Sequence, residues 1–291
     1  MAGQSITIIG AGNMGGAMAG NLLGKGWTVD ICDINPDVLP ALQAQGASVI
    51  DAPCNARPDC TTFIVSVVDA PQTEEVLFGD FGLARVLKPG ACVMLCPTIG
   101  PEDVENFARR LATLGVHAVD APMSGGPVRA AEGSMSLMVA CDEAVHRALR
   151  PVLDALSSKV FHIGSRPGDG ARTKLVNNLL AGINLVGAAE ALAMAERMGL
   201  DVARTLEVIE QSSGQSWIGS DRMRRALAGD YAPRAHVTLL EKDTRLAVEA
   251  ARQVGFEGPL GDTAAGVFRQ AHQQGMAGLD DAALYRLLSQ K

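Results

Sequence analysis

The chain has 291 residues, of which 47% are hydrophobic, 20% charged and 4% aromatic, with a formal net charge of −7. That balance excludes a disordered chain, and the length suits two domains of about 100–200 residues each. No Lys/Arg block or basic stripe occurs, which argues against a nucleic-acid partner.

Glycine is abundant, at 32 residues, so an Ala/Val/Leu-rich α/β protein with many tight turns is expected. Cys32, Cys54, Cys60, Cys92, Cys96 and Cys141 form no CxxC pair and read as free thiols of a reducing, cytoplasmic compartment. The five histidines (His117, His146, His162, His236 and His272) are scattered, no zinc-type ligand spacing is present, and no metal is expected.

The N-terminus runs directly into the apolar stretch Ile6–Ile9, without the basic and apolar regions of a signal peptide. Short apolar runs then alternate with helical stretches. Strands are predicted at Ile6–Gly10, Thr28–Asp33, Thr62–Val68 and Cys92–Cys96, with another starting at Ala118–Asp120. Helices are predicted over Met14–Lys25, Pro36–Gln45, Gln72–Leu77 and Pro101–Leu114. Repeated β-then-α units imply parallel strands joined by right-handed crossovers.

The pattern changes near Gly164. From Ala171 onward nearly all of it reads as helix: Ala171–Gly199, Val202–Gln211, Ser220–Ala228, Leu239–Val254, Pro259–Gln274 and Ala282–Ser289. The expected architecture is a Rossmann-type α/β domain over residues 1–167 with a mostly parallel sheet. An all-α domain over 168–291, built on a long interdomain helix, follows it. Leu175–Met198 is apolar, but Asn177, Asn178, Asn184, Glu190, Glu196 and Arg197 make it a poor bilayer span and no membrane partner is expected. Because this helix is apolar on more than one face, a homodimer or homotetramer is expected to supply further cover.

Gly10-Ala11-Gly12-Asn13-Met14-Gly15 is a G-x-G-x-x-G loop between a strand and a helix. Gly10 permits the tight turn, Gly12 lets backbone approach a pyrophosphate, and Gly15 allows close helix–strand packing. The helix start supplies free N–H groups for the phosphates. Asp33 follows where a dinucleotide fold places the acid that binds ribose hydroxyls. The next residue is Ile34 rather than Arg, so the charge logic favours NAD over NADP.

Three further motifs join this loop: Asp120-Ala121-Pro122-Met123-Ser124-Gly125-Gly126, Gly168-Asp169-Gly170-Ala171-Arg172-Thr173-Lys174-Leu175-Val176-Asn177-Asn178, and Lys242-Asp243. Together they resemble the β-hydroxyacid dehydrogenases, the family of 3-hydroxyisobutyrate dehydrogenase and tartronate semialdehyde reductase, along essentially the whole chain. The resemblance implies Lys174 as general acid/base, with Ser124, Gly125, Gly126, Asn178 and Lys242 binding a small hydroxy acid.

Lys174 and Asn178 lie four positions apart, on one helix face, whereas Asn177 projects about 100° away. Thr98, Val67 and Val68 are implied near the cofactor, although Pro97 and Asp69 depart from the family's usual Ser and Pro. Lys242 is implied near both cofactor and substrate, with Asp243 placed to orient it. Segments such as Ser216-Trp217 and Gly229-Asp230-Tyr231 resemble the L-threonate branch of the family. The Asn177-Asn178 pair is closer to the 3-hydroxyisobutyrate and glyoxylate-reductase branches. An L-threonate-like aldonate is therefore the first expectation, with 3-hydroxyisobutyrate, glycerate or serine next. A non-catalytic NAD-sensing protein would have no reason to keep Lys174, Asn178 and the Ser-Gly-Gly turn together. An imine reductase would generally lack the lysine.

Overall fold

The computed structural model describes residues 4–289, which fall into two compact units, 1–174 and 175–291. The first unit opens with β1 (Ser5–Ile9), α1 (Asn13–Gly24), β2 (Thr28–Cys32), α2 (Leu39–Ala44) and β3 (Ser48–Val49). It continues through β4 (Thr62–Val65), α3 (Ala70–Phe78), β5 (Cys92–Leu95), α4 (Pro101–Thr113) and β6 (His117–Asp120). These six strands lie parallel in the order β3-β2-β1-β4-β5-β6.

The strands are apolar on both faces because helices cover both. Ile6, Ile8, Ile64 and Met94 pack with Met18 and Leu22 of α1 and Leu42 of α2. Ile9, Phe63, Val65, Val93 and Leu95 face Leu77 of α3 and Val104, Phe107 and Leu111 of α4. Alternate residues of one strand thus serve two cores, and the alternation expected of a half-solvated strand is absent.

Several boundaries differ from the expected ones. β4 ends at Val65, so Val67 and Val68 lie beyond the strand rather than at its end, and Asp33 lies one residue past β2. The single helix expected over Pro36–Gln45 is a 3-10 turn at Pro36–Val38, capped by the Asn35 side chain, followed by the short α2. Between Asp120 and Gly164 the chain adds elements for which the sequence pattern made no prediction. These are β7 (Met123–Ser124), α5 (Gly126–Glu132), β8 (Met135–Ala140), α6 (Glu143–Leu156) and β9 (Ser157–Gly164). β8 runs antiparallel to β6 and β7 and parallel to β9, which makes the nine-stranded sheet mixed at this end.

The long helix α7 (Asp169–Arg197) starts in the first unit and continues into the second. Among the described residues it is the one helix long and apolar enough to cross a membrane by length and composition. The second unit adds α8 (Val202–Glu210), α9 (Trp217–Leu227), α10 (Val237–Gln253), α11 (Pro259–Ala271) and α12 (Leu284–Ser289). α9 starts at Trp217, ahead of the expected Ser220, because Ser216 accepts the Gly219 N–H and caps it. α11 stops at Ala271 and passes into a π-turn, where Gly275 takes a left-handed φ of 81°. The core of this unit gathers Leu185, Leu192, Met223, Phe268 and Leu284. Gly182 permits its tightest crossing, since a Cβ there would come within 2.6 Å of Thr244 Cγ2 on α10.

Candidate active site

Parallel strands present their carboxyl ends along one edge of the sheet. Gly10 follows β1, Asp33 follows β2, Val67 follows β4 and Thr98 follows β5, so four separated segments meet along that edge. β1 has β2 on one side and β4 on the other. The strand order reverses there, which is where open α/β sheets bind ligands.

The three glycines have different roles. Gly10 has φ 98°, and a Cβ there would meet the Ser66 carbonyl oxygen at 2.4 Å. A Cβ on Gly15 would fall 1.8 Å from the Gly10 carbonyl oxygen. Both are closed to any side chain. A Cβ on Gly12 would meet nothing within 4 Å, and Gly12 precedes α1 without a side chain capping that terminus. The backbone N–H groups that begin α1 thus have no side-chain cap and carry the positive end of the helix. This is the chemistry of a phosphate cradle.

The Asp33 carboxylate holds this loop. It accepts the Ala11 N–H at 2.5 Å and the Asn35 N–H at 2.8 Å. Ile34 beside it is 99% exposed and presents no cation. Val67 packs against the Gly10 turn, Val68 is exposed and donates its N–H to Gln72 Oε1 at 3.0 Å, and Thr98 is half-buried after β5.

Lys174 is buried, 8% exposed, and its Nζ donates to the Met123 carbonyl at 2.6 Å. Two motifs 51 residues apart are thereby joined at the strand that carries Ser124. Gly125 and Gly126, with φ of 133° and 73°, turn the chain sharply out of β7, a conformation closed to ordinary side chains. A Cβ on Gly126 would meet nothing within 4 Å, so its backbone stands open beside the Ser124 hydroxyl.

Asp120, whose own role the sequence reading left unassigned, explains how α7 is aimed. Its Oδ2 accepts the N–H of Gly168 at 2.9 Å and of Ala171 at 3.0 Å. Burial nevertheless pushes this carboxyl up to about 6, against those backbone hydrogen bonds. The carboxylate ties the start of the lysine's helix to the end of β6. An acidic residue followed by a distant Gly-Asp-Gly turn was the available signal.

In the second unit, Asn178 is buried and donates its Nδ2 to Asp243 Oδ2 at 2.6 Å, while Lys242 Nζ lies 2.9 Å from Asp243 Oδ1. Asp243 is 6% exposed, so Lys242-Asp243 is not a surface pair. Its carboxylate holds Asn178 as well as Lys242, a link that only the fold reveals. Asn177 turns its amide onto Asn178 Oδ1 at 3.0 Å.

The histidines are scattered in sequence, but His146 and His162 stack with ring centroids 4.3 Å apart, and Glu143 Oε2 lies 3.2 Å from His162 Nδ1. The fold of α6 back onto β9 brings two imidazoles and a carboxylate together, which linear spacing concealed.

Residues 5–164 match the family described as the NAD binding domain of 6-phosphogluconate dehydrogenase. Residues 168–288 match the NAD-binding family of NADP-dependent 3-hydroxyisobutyrate dehydrogenase. The chain is 36% identical to an L-threonate dehydrogenase of Escherichia coli, over 98% of this chain and 94% of that protein. It is 35% identical to a 3-hydroxyisobutyrate dehydrogenase of Pseudomonas aeruginosa, over 97% of each. A crystal structure of 3-hydroxyisobutyrate dehydrogenase from Salmonella typhimurium superposes with a TM-score of 0.91 at 36% identity, covering 97% of this chain and 99% of that one. Imine reductases from Pseudomonas and Myxococcus, at 19–21% identity, share the fold alone. Matched along nearly its whole length, and carrying the glycine loop, the Ser-Gly-Gly turn and the buried lysine, this chain belongs to the 3-hydroxyisobutyrate dehydrogenase-like family of β-hydroxyacid dehydrogenases.

Proposed function

We propose that this hydroxyacid dehydrogenase oxidises a small hydroxy acid with NAD, Lys174 serving as the general acid/base. The observation that carries the reading is the burial of Lys174 with its Nζ on the Met123 carbonyl, next to Ser124. A lysine shielded from water, with its Nζ on a backbone carbonyl, is suited to exchange a proton with substrate. When bound, the nicotinamide ring accepts or returns the hydride. In oxidation, neutral Lys174 takes the hydroxyl proton from the substrate carbinol. In reduction, its ammonium returns a proton to the carbonyl oxygen.

Ser124, Gly125 and Gly126 supply a hydroxyl and open backbone N–H groups for the substrate carboxylate. Asn178 and Lys242, both held by Asp243, supply further polar contacts to substrate, with Lys242 also serving the cofactor. Gly10, Ala11, Gly12, Asn13, Met14 and Gly15 cradle the pyrophosphate. Asp33 binds the adenosine ribose, and Ile34, Val67, Val68 and Thr98 line the remaining cofactor path. The Asp33 carboxylate repels a 2′-phosphate, and exposed Ile34 offers it no cation, which favours NAD.

Relatives named L-threonate dehydrogenase at 35–37% identity support an L-threonate-like aldonate as the first substrate to try. 3-Hydroxyisobutyrate, glycerate and serine come next. The structure of a Mycobacterium tuberculosis 3-hydroxyisobutyrate dehydrogenase with L-serine, 28% identical with a TM-score of 0.87, keeps serine in that group.

The test is NADH formation at alkaline pH over a panel of C3–C6 hydroxy acids, with NADP in parallel and with Lys174→Ala. Turnover with an aldonate and NAD, abolished by the substitution while NAD still binds, is the expected result. A clear NADP preference overturns the cofactor assignment. Wild-type kcat in Lys174→Ala overturns the mechanism. A protein that binds NAD but turns over nothing on the panel returns the reading to an NAD sensor.

A further inference from the structure

A cluster of one carboxylate and two imidazoles lies outside the hydride-transfer motifs. Glu143 and His146 stand one turn apart at the start of α6, and His162 lies on β9, which packs against that helix. One ligand atom from each of the three lies within 4.8 Å of the others. His162 Nε2 is 2.8 Å from the Cys141 carbonyl oxygen. A carbonyl only accepts, so Nε2 carries the hydrogen, and the Nδ1 of neutral His162 is a lone pair. That lone pair points at Glu143 Oε2 from 3.2 Å, acceptor against acceptor. Such a contact is stable only with a cation between the two atoms.

A proton on Nδ1 meets that demand but leaves the third member unexplained. His146 is 9% exposed, and its Nε2 is buried without a hydrogen-bond partner. Its ring stacks within 5° of parallel on His162, and one of its nitrogens belongs to the same 4.8 Å cluster. Two imidazoles, one fixed by a backbone carbonyl as metal-bound histidines usually are, and one carboxylate form the donor set of an open zinc site.

We propose that Glu143, His146 and His162 bind one Zn²⁺-class divalent cation, with water completing the coordination. At bond lengths of about 2.0–2.2 Å, ligand atoms around tetrahedral zinc sit about 3.3–3.6 Å apart. Loading therefore draws the three donors together and turns one ring out of the parallel stack. The exposed Glu143 side chain has the freedom to follow. Arg147, whose Nη1 is 3.5 Å from Glu143 Oε1, holds the other carboxylate oxygen, and Arg150 is paired with Asp154 at 2.6 Å. These two arginines weaken the site without blocking Oε2.

The full-length chain is stripped with chelator and titrated with Zn²⁺ by calorimetry and with Co²⁺ by visible absorption. His162→Ala and Glu143→Gln, both at positions open to solvent, are titrated alongside, with circular dichroism to confirm folding. The expected result is one ion per chain, with visible Co²⁺ bands and no thiolate charge-transfer band. Affinity then falls at least tenfold in Glu143→Gln and is lost in His162→Ala. Three outcomes overturn the proposal: no stoichiometric binding by the wild-type chain, binding unchanged in both variants, or a thiolate-type spectrum that moves the ion to the cysteines. If His162→Ala fails to fold, Glu143→Gln decides alone.

Discussion

Asp120→Asn tests the anchor that aims the long helix. The native carboxyl is pushed from 3.8 to about 6 by burial, and the residue is 2% exposed, so solvent does little to soften the effect. Between pH 4 and 6 the native protein keeps a proton that the unfolded chain has lost. Stability at this residue therefore falls as pH rises through that window and levels off above it. At about 1.36 kcal/mol per pH unit, the ionised form costs the native state about 3 kcal/mol at neutral pH.

Asparagine is nearly isosteric and has no such titration. Its single carbonyl oxygen still serves the Gly168 and Ala171 N–H groups, but its amide faces the Gly170 N–H that the carboxylate accepts. That loses about 1 kcal/mol at every pH. The variant is thus expected to be about 1 kcal/mol less stable than wild type at pH 4 and about 2 kcal/mol more stable at pH 7.5. Urea unfolding at the two pH values, read as the difference between the proteins, measures it. A variant equally or more destabilised at pH 7.5 refutes the claim that Asp120 is held against its own ionisation.

Four other outcomes follow. Gly12→Ala, where a Cβ meets open space, leaves the melting temperature near wild type but weakens NAD binding at least tenfold; Gly15→Ala, with a Cβ 1.8 Å from a carbonyl oxygen, yields little folded protein, and equal behaviour of the two argues against the division of roles. Asp243→Ala frees both Asn178 and Lys242 and should raise KM for the hydroxy acid well above tenfold while sparing the first unit; an unchanged KM removes Asp243 from the site. Burial would raise Asp280, but Arg225 and the N–H groups of Ala282, Arg234 and Ala235 bring it down to about 2, so it stabilises the fold by about 2 kcal/mol above pH 4, and this is lost as pH falls toward 2; Asp280→Asn should flatten that acid limb. Finally, Val176, Leu180 and Met194 are 58–71% exposed along one stripe of α7, so light scattering should find a homodimer or homotetramer, and a monomer at micromolar concentration counts against it.

The β-then-α rhythm was legible because short, mostly apolar runs alternate with longer mixed stretches, with glycine or proline at many of the boundaries. The rhythm fails after Asp120 for a physical reason. β9 is mostly exposed and polar at its start, so it lacks the apolar signature of a buried element, and α6 interrupts its apolar face of Val145, Leu149, Val152 and Leu156 with Pro151. The glycine loop and Lys174 were readable because their chemistry depends on residue type at fixed spacing. Asp243 on Asn178, Asp120 beneath α7 and the pairing of His146 with His162 depend on contacts 16 to 65 residues apart in the chain, which spacing does not encode.

The parallel sheet also divides the first unit into two edges with different tolerances. Every segment of the first unit assigned to the cofactor leaves a carboxyl end, so the turns entering the amino ends are not assigned to the chemistry. Gly26, Gly90 and Gly115 mark three of these turns in left-handed conformations, and at Gly26 and Gly90 a Cβ would meet nothing within 4 Å. Reporter peptides or new chain termini introduced at Gly26 or Gly90 should leave catalysis intact, so the enzyme can be labelled or permuted along one edge while it works along the other.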